Sequence, residues 1–147
     1  MMTDYFSLNL DSTQLRNMNI LALAHMGDGV YELLCRGWLC SHHLETIGNL
    51  HKATVQMVKA PAQAVAVKKL LPYLTEQESA VYRRGRNANV HQIPKNASRS
   101  EYAQATALEA LFGWLYLQGQ RERINQLFAI IMDESDQLTQ EVNHNAT

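Results

Sequence analysis

One stretch of the sequence, residues 20–39 (ILALAHMGDGVYELLCRGWL), constrains the fold more than any other. It is apolar on almost every face of a helix, yet it carries Asp28 and Glu32 in its middle. Such a helix is expected in the core of a helical bundle, where an uncompensated carboxylate is costly. The i, i+4 spacing also puts the two like charges on one face. The stretch therefore predicts a bound cation beside these acids or, alternatively, a solvated groove or a neutralising arginine.

Small residues surround Asp28 in this stretch, namely Ala22, Ala24, Gly27 and Gly29. A glycine inside a helix costs about 1 kcal/mol relative to alanine, so two of them require a reason. We predict that another backbone, a substrate or a metal ion approaches the helix closely at this point.

The remaining sequence has helical periodicity and no convincing strand alternation. Thr75 with Glu78, and Ser98 with Glu101, form capping boxes that begin helices, and Gly119 fits a helix end. The predicted helices are 12–19, 20–39, 49–58, 62–71, 75–86, 99–118 and 121–138. A chain of 147 residues is the size of one domain. We therefore predict a single all-α domain over residues 1–147, with its core at about 12–138.

Charge is unevenly distributed along the chain. Residues 52–99 contain nine basic and two acidic side chains, although the whole chain has a net charge of −1. This segregation predicts a polyanionic partner on one face, and an ordinary solvated surface is the alternative. The charged fraction of 18% is below the usual ~25% and favours an oligomer.

Several features indicate the cellular location. No apolar run reaches the ~20 residues that span a bilayer, and the first residues lack the pattern of a signal peptide. Cys35 and Cys40 are five positions apart in one predicted helix and point in different directions, which argues against a disulfide or a metal pair. We expect a soluble cytoplasmic protein that has reduced thiols and no membrane partner.

A second carboxylate, Glu109, lies in the apolar segment EALFGWLYL among Ala105, Ala107, Ala110 and Gly113. Two helices that each carry an acid among small residues can pack closely enough to hold Asp28 and Glu109 to one divalent ion. Hard oxygen ligands of this kind suit Mg²⁺.

Near the end of predicted helix 75–86 and before predicted helix 99–118, residues 83–96 (RRGRNANVHQIPKN) are rich in arginine and asparagine. Guanidinium and amide groups grip phosphate oxygens and ribose hydroxyls without reading base sequence, and Gly85 would let the backbone come close. The segment predicts a phosphate-binding loop, with a flexible polar loop as the alternative.

Five motifs occur here in the order and spacing of a known family: GDGVYE (27–32), LHK (50–52), RRGRNA (83–88), PKN (94–96) and EALFGWLYL (109–117). Over about residues 12–132 the chain resembles Mini-ribonuclease III, the stand-alone ribonuclease III catalytic domain of bacteria. The resemblance implies a homodimeric helical bundle that hydrolyses double-stranded RNA with Mg²⁺, in the maturation of precursor 23S ribosomal RNA. A ribosomal protein that presents the RNA is a further candidate partner.

The resemblance also implies roles for individual residues. Asp28 and Glu109 are the catalytic acids and metal ligands, and Glu32 is either a third ligand or a neighbour. The expected RNA-binding residues are His51, Lys52, Arg83, Arg84, Arg86, Asn87, Lys95 and Asn96.

The chain departs from full-length ribonuclease III at three positions. Leu21, Ala24 and Thr106 stand where the longer enzymes have acids, which predicts fewer ligands and weak metal binding. The main alternative function is a non-catalytic RNA-binding module on the same fold. A helical phosphohydrolase is a weaker alternative, because the chain lacks the His-Asp pairs of such enzymes.

Overall fold

The structure, a computed structural model, describes residues 1–42, 47–88 and 97–134. These residues form seven α-helices and a short 3₁₀ turn, and none of them is in a strand, which confirms the all-α prediction. The helices are α1 (Ser12–Arg16), α2 (Ile20–His42), α3 (Ile47–Val58), α4 (Ala60–Leu70), α5 (Glu76–Arg86), α6 (Arg99–Leu117) and α7 (Arg121–Ile131), with the turn at Leu71–Tyr73.

Helix α6 lies at the centre of the molecule and packs against α2, α4, α5 and α7. Its leucines, Phe112 and all its alanines except Ala103 are buried, so it is covered on most sides. The sequence had predicted this position for α2. Instead α2 buries one side, including Leu23, Val30 and Tyr31, while Leu33 on the other side is 57% exposed.

The predicted helix starts at Thr75 and Ser98 are confirmed. The hydroxyl of Thr75 accepts a hydrogen bond from the Glu78 amide at 3.2 Å, and Ser98 accepts one from the Glu101 amide at 3.1 Å. Gly119 follows α6 with a φ of +76°, in the left-handed region where glycine carries no steric penalty.

Three helix ends differ from the prediction. Helix α1 stops at Arg16, and α2 continues to His42, whose ring stacks on Trp38 at 4.2 Å. Helix α7 ends at Ile131, whose carbonyl accepts a hydrogen bond from the ammonium group of Lys69 at 3.1 Å. Asp133 then turns the chain with a φ of +59°. The last part of the predicted helix, 135–138, lies outside the described residues.

Further hydrogen bonds join the N-terminal segment to α6 and join α7 to α5. The Tyr116 hydroxyl donates to the Phe6 carbonyl, and the Leu10 amide donates to the Leu117 carbonyl at 2.7 Å, so the N-terminal segment is fastened to the end of α6. The guanidinium of Arg123 donates to both oxygens of buried Glu78 at 2.8 Å, which ties α7 to α5. No helix in the described part of the chain is long and apolar enough to cross a membrane.

Candidate active site

Helices α2 and α6 cross in almost direct backbone contact. A Cβ atom placed on Gly27 would lie 1.5 Å from the carbonyl oxygen of Glu109, and one on Gly113 would lie 2.0 Å from the carbonyl oxygen of Leu23. Only glycine fits at these two positions. The crossing confirms the predicted close approach and brings Asp28, the neighbour of Gly27, beside Glu109.

The carboxyl groups of Asp28 and Glu109 are in hydrogen-bonding contact. Asp28 is exposed and Glu109 is half-buried. Burial, the charge of Asp28 and the hydrogen bond between the two groups together raise the pKa of Glu109 to about 8. At neutral pH the pair therefore holds a proton, which prevents two negative charges from meeting at short range.

This arrangement fits a divalent cation. Two carboxylates converge on one spot that remains open to solvent through Asp28, and a bound cation would remove the repulsion that the proton otherwise relieves. All the donor atoms are hard oxygens, the type that Mg²⁺ prefers.

The structure does not bring Glu32 into this pair. Its carboxylate lies 3.5 Å from the guanidinium of Arg36 one turn further along α2, as in the arginine alternative above. Within residues 1–42, 47–88 and 97–134, no three His, Cys, Asp or Glu side chains are grouped to hold one metal ion. A three-ligand set of Asp28, Glu32 and Glu109 is thus not assembled in the single chain.

The three positions that depart from full-length ribonuclease III supply no replacement ligand. Thr106 is buried, and its hydroxyl donates to the Tyr102 carbonyl at 3.0 Å within α6. Leu21 and Ala24 are apolar. The described residues therefore place two carboxylates at the crossing.

The predicted phosphate-binding residues Arg83, Arg84 and Arg86 form the exposed last turn of α5, so they are helical rather than part of a loop. None of the three makes an ion pair with a described carboxylate. Asn87 follows as the C-cap, with its amide donating to the Arg83 carbonyl at 3.0 Å. The α5 terminus is thus an exposed basic surface, to which we refer as the basic end of α5.

The prediction for Gly85 was wrong. Gly85 is buried, and a Cβ atom there would lie 2.8 Å from the Cα of Ala107 and 3.0 Å from the Cβ of Ala110. It faces the central helix instead of a phosphate. Its small size allows α5 to pack tightly on α6 and so positions the neighbouring arginines.

The other predicted RNA-binding residues lie elsewhere. His51 and Lys52 are exposed on α3, which packs against α2. Lys95 and Asn96 lie outside the described residues.

Two surface grooves were not predicted from the sequence. One is apolar and has Phe6, Leu33, Leu34 and Tyr116 among its lining residues. The other is polar and has Arg16, Arg84, Trp114 and Gln118 among its lining residues. Each collects residues from distant segments, so no local pattern could have indicated either.

A bundle of helices around a buried α6, with paired acids where α2 crosses it, defines the class of protein. The family described as Ribonuclease III domain matches residues 21–120. The fold is similar to a crystal structure of a protein from Fusobacterium nucleatum, with a TM-score of 0.75 and 30% identity over 83% of this chain and 98% of that one.

Similar proteins of known name place the chain in a smaller group within this family. Mini-ribonuclease 3 of Clostridium tetani is 37% identical over 89% of this chain and 87% of its own length. Mini-ribonuclease 3 of Brevibacillus brevis is 45% identical over 80% of this chain and 90% of its own. The chain therefore belongs to the ribonuclease III family and, within it, to the Mini-ribonuclease 3 group.

Proposed function

We propose that this protein is an endoribonuclease that hydrolyses double-stranded RNA with Mg²⁺ held by Asp28 and Glu109. The observation that carries the proposal is the glycine crossing of α2 and α6, which presses these two carboxyls together beside solvent. A fold that needed these acids only for solubility would keep them apart, because contact between like charges is unfavourable.

Different residues of the protein have different roles in the proposed reaction. Asp28 and Glu109 hold and orient the cation, and Glu109 must give up its proton for this, which makes loading favourable at higher pH. When bound, Mg²⁺ activates water and neutralises charge on the phosphodiester. The packing of Gly27 against Glu109 fixes the backbone of both ligands, so little reorganisation is needed.

RNA binding is assigned to exposed basic side chains. The basic end of α5 supplies Arg83, Arg84 and Arg86, and His51 and Lys52 are exposed on α3. With Asn87, Lys95 and Asn96, these residues complete the proposed RNA-binding set. They would contact phosphates and ribose hydroxyls of an A-form duplex, so recognition follows helical shape more than base sequence.

The finer assignment follows the Mini-ribonuclease 3 relatives. We propose a cytoplasmic homodimer that trims precursor 23S ribosomal RNA, with a ribosomal protein as the partner that presents it. The support for this assignment is the group membership together with the basic surface, which suits a large polyanion.

The decisive experiment is cleavage of a labelled RNA duplex by Asp28→Asn. Cleavage should fall at least about 100-fold, because loss of even an outer-shell partner of a metal ligand costs 10- to 100-fold. Binding of the same duplex in EDTA should be retained, since Asp28 is exposed and fills no core position. Glu109→Gln should behave alike, with partial recovery at high Mg²⁺.

Glu32→Gln is the matched control, because it neutralises a nearby α2 carboxylate whose partner is Arg36. It should cleave at close to the wild-type rate. If Asp28→Asn also kept that rate, the assignment of the acids would be wrong. If the wild-type protein bound the duplex but never cut it with Mg²⁺, the non-catalytic module would be correct.

A second experiment tests the basic end of α5. Replacing Arg83, Arg84 and Arg86 with alanine should weaken binding to unrelated duplexes equally. It should flatten the log–log salt dependence by up to about 0.9 per lost phosphate contact. Lys68→Ala, which removes an exposed charge from the end of α4, should keep the wild-type slope. An unchanged slope in the triple variant would mean that these arginines do not touch phosphate.

A further inference from the structure

A polar groove of about 450 Å³ lies between the N-terminal segment, α1, α5 and α6. Neither Asp28 nor Glu109 lines it, so it is separate from the acidic pair. The side chains that give it chemical character are Asn9, Arg16, Gln77, Arg84, Trp114 and Gln118.

Two guanidinium groups line this groove and remain available for a ligand. Arg16 is exposed and reaches only Thr13 of its own helix, at 3.5 Å. Arg84 is exposed as well, and neither arginine makes an ion pair with a carboxylate in the part of the chain that the structure describes. Two such forks from separate helices form a binding place for phosphate oxygens.

The remaining groups suit a nucleobase. The side-chain amides of Asn9 and Gln77 are exposed and form no hydrogen bond with other described residues, so both can donate and accept. Trp114 is half-buried and lines the same groove. Bases of unpaired strands stack on aromatic side chains and hydrogen-bond through their edges, whereas the bases of a duplex are already stacked and paired.

The groove also lies close to the proposed path of the RNA. Arg84 belongs both to the groove and to the basic end of α5. On α6, Trp114 follows Glu109 by five residues, which is about 7.5 Å along the helix axis and about 140° around it, so the groove lies on a different face of α6 from the acidic pair. We propose that this groove binds an unpaired ribonucleotide of a strand that continues from the duplex at the acidic pair, a proposal that rests on the proposed function.

Tryptophan fluorescence tests the groove directly. The chain has two tryptophans, so Trp38→Phe leaves Trp114 as the single emitter. A single-stranded uridine pentanucleotide, added in EDTA to prevent cleavage, should quench Trp114 in a saturable manner. Arg16→Ala in this background should raise the Kd about tenfold, the effect of one lost charge-assisted contact.

Controls separate a nucleotide site from general charge attraction. Lys68→Ala removes an exposed cation from α4, which does not line the groove, and should leave the pentanucleotide titration unchanged. Arg16→Lys should recover part of the pentanucleotide affinity that Arg16→Ala loses. The proposal is overturned if the pentanucleotide does not quench Trp114, or if Arg16→Ala titrates like Lys68→Ala. It is also overturned if inorganic phosphate gives the same quenching at the same concentration.

Duplex cleavage with Mg²⁺, measured on the same Trp38→Phe preparation, distinguishes failure of the groove proposal from failure of the endoribonuclease proposal. Cleavage without quenching refutes the groove alone. Saturable quenching that depends on Arg16, without any cleavage, refutes the endoribonuclease assignment and leaves a site for unpaired nucleotides.

Discussion

Glu109 couples the stability of the metal-free protein to pH. Its pKa is about 8 in the folded chain, against an ordinary value of 4.5. Between these two pH values the folded state keeps a proton that the unfolded state has lost. The free energy of unfolding therefore decreases as pH rises from about 4.5 through about 8, with the folded-state pKa setting the upper end.

Glu109→Gln should remove this dependence, because glutamine does not titrate. In urea denaturation with EDTA, we expect the variant to be more stable than wild type at pH 8.5 and to vary less with pH over that window. Adding Mg²⁺ should stabilise wild type more than the variant. Glu32→Gln, which leaves the pair intact, should follow the wild-type curve. Parallel curves for wild type and Glu109→Gln would show that Glu109 is not protonated at neutral pH.

The sequence predicted that Asp28 and Glu109 meet, but it did not predict the partner of Glu32 or the burial of Gly85. Asp28 and Glu109 could be linked because each is an acid flanked by small apolar residues. Glu32 shares the face of Asp28 but is one turn away, about 6 Å along the axis from Asp28. At that distance Glu32 pairs with Arg36 and not with Glu109. This outcome follows from the point at which α6 crosses α2, which the sequence does not show. Gly85 was misread because its burial against α6 depends on the rotation of α5, which its neighbours in sequence do not reveal.

The crossing of α2 and α6 predicts a large effect of one substitution on how these two helices pack. Gly27→Ala would place a Cβ atom 1.5 Å from the Glu109 carbonyl oxygen, so the two helices must move apart. We expect a loss of about 3 kcal/mol or more in the free energy of unfolding, because overpacking against backbone cannot be relieved by a side-chain rotation. Cleavage should fall as well, since the two acids separate.

Gly37→Ala is the matched control for this prediction. It makes the same substitution in the same helix, at a position where nothing lies within 4 Å of the new Cβ atom. Alanine is favoured over glycine there by up to about 1 kcal/mol, so the control should be neutral or more stable. Chemical denaturation of both variants provides the comparison. Equal stabilities for the two would mean that the helices do not meet at Gly27.

Helix starts were predicted better than helix ends. The starts at Thr75 and Ser98 depend on hydrogen bonds between residues three apart, which a sequence shows directly. Helix α7 ends where Asp133 adopts a φ of +59° and the Glu134 amide donates to the Ala129 carbonyl at 2.8 Å. Aspartate adopts this conformation much less often than glycine, so the sequence did not mark the end. Lys69, 62 positions away, adds a hydrogen bond to the Ile131 carbonyl that has no local signature.

For the whole molecule, the described surface of one chain leaves apolar area uncovered. Leu33 on α2 is 57% exposed. An apolar groove of about 580 Å³ beside Leu33 also includes Phe6 and Tyr116. A stable interface buries at least ~1,200 Å² in total, and a second copy of this chain on this side would cover these residues. These exposed apolar residues support the oligomer predicted from the low charged fraction and the homodimer that we propose.

The proposed homodimer leads to a test on both RNA strands. Each chain offers one acidic pair at the α2–α6 crossing. In the proposed function, one pair cuts only one strand at a time. A two-fold dimer presents two equivalent pairs to the two strands of a duplex. A mixed dimer of wild-type and Asp28→Asn chains, acting on RNA labelled on both strands, should therefore nick one strand and leave the other whole. The wild-type homodimer, assayed in parallel, should cut both. Double-strand cuts by the mixed dimer at the wild-type rate, or a monomeric mass by light scattering at the assay concentration, would contradict this arrangement.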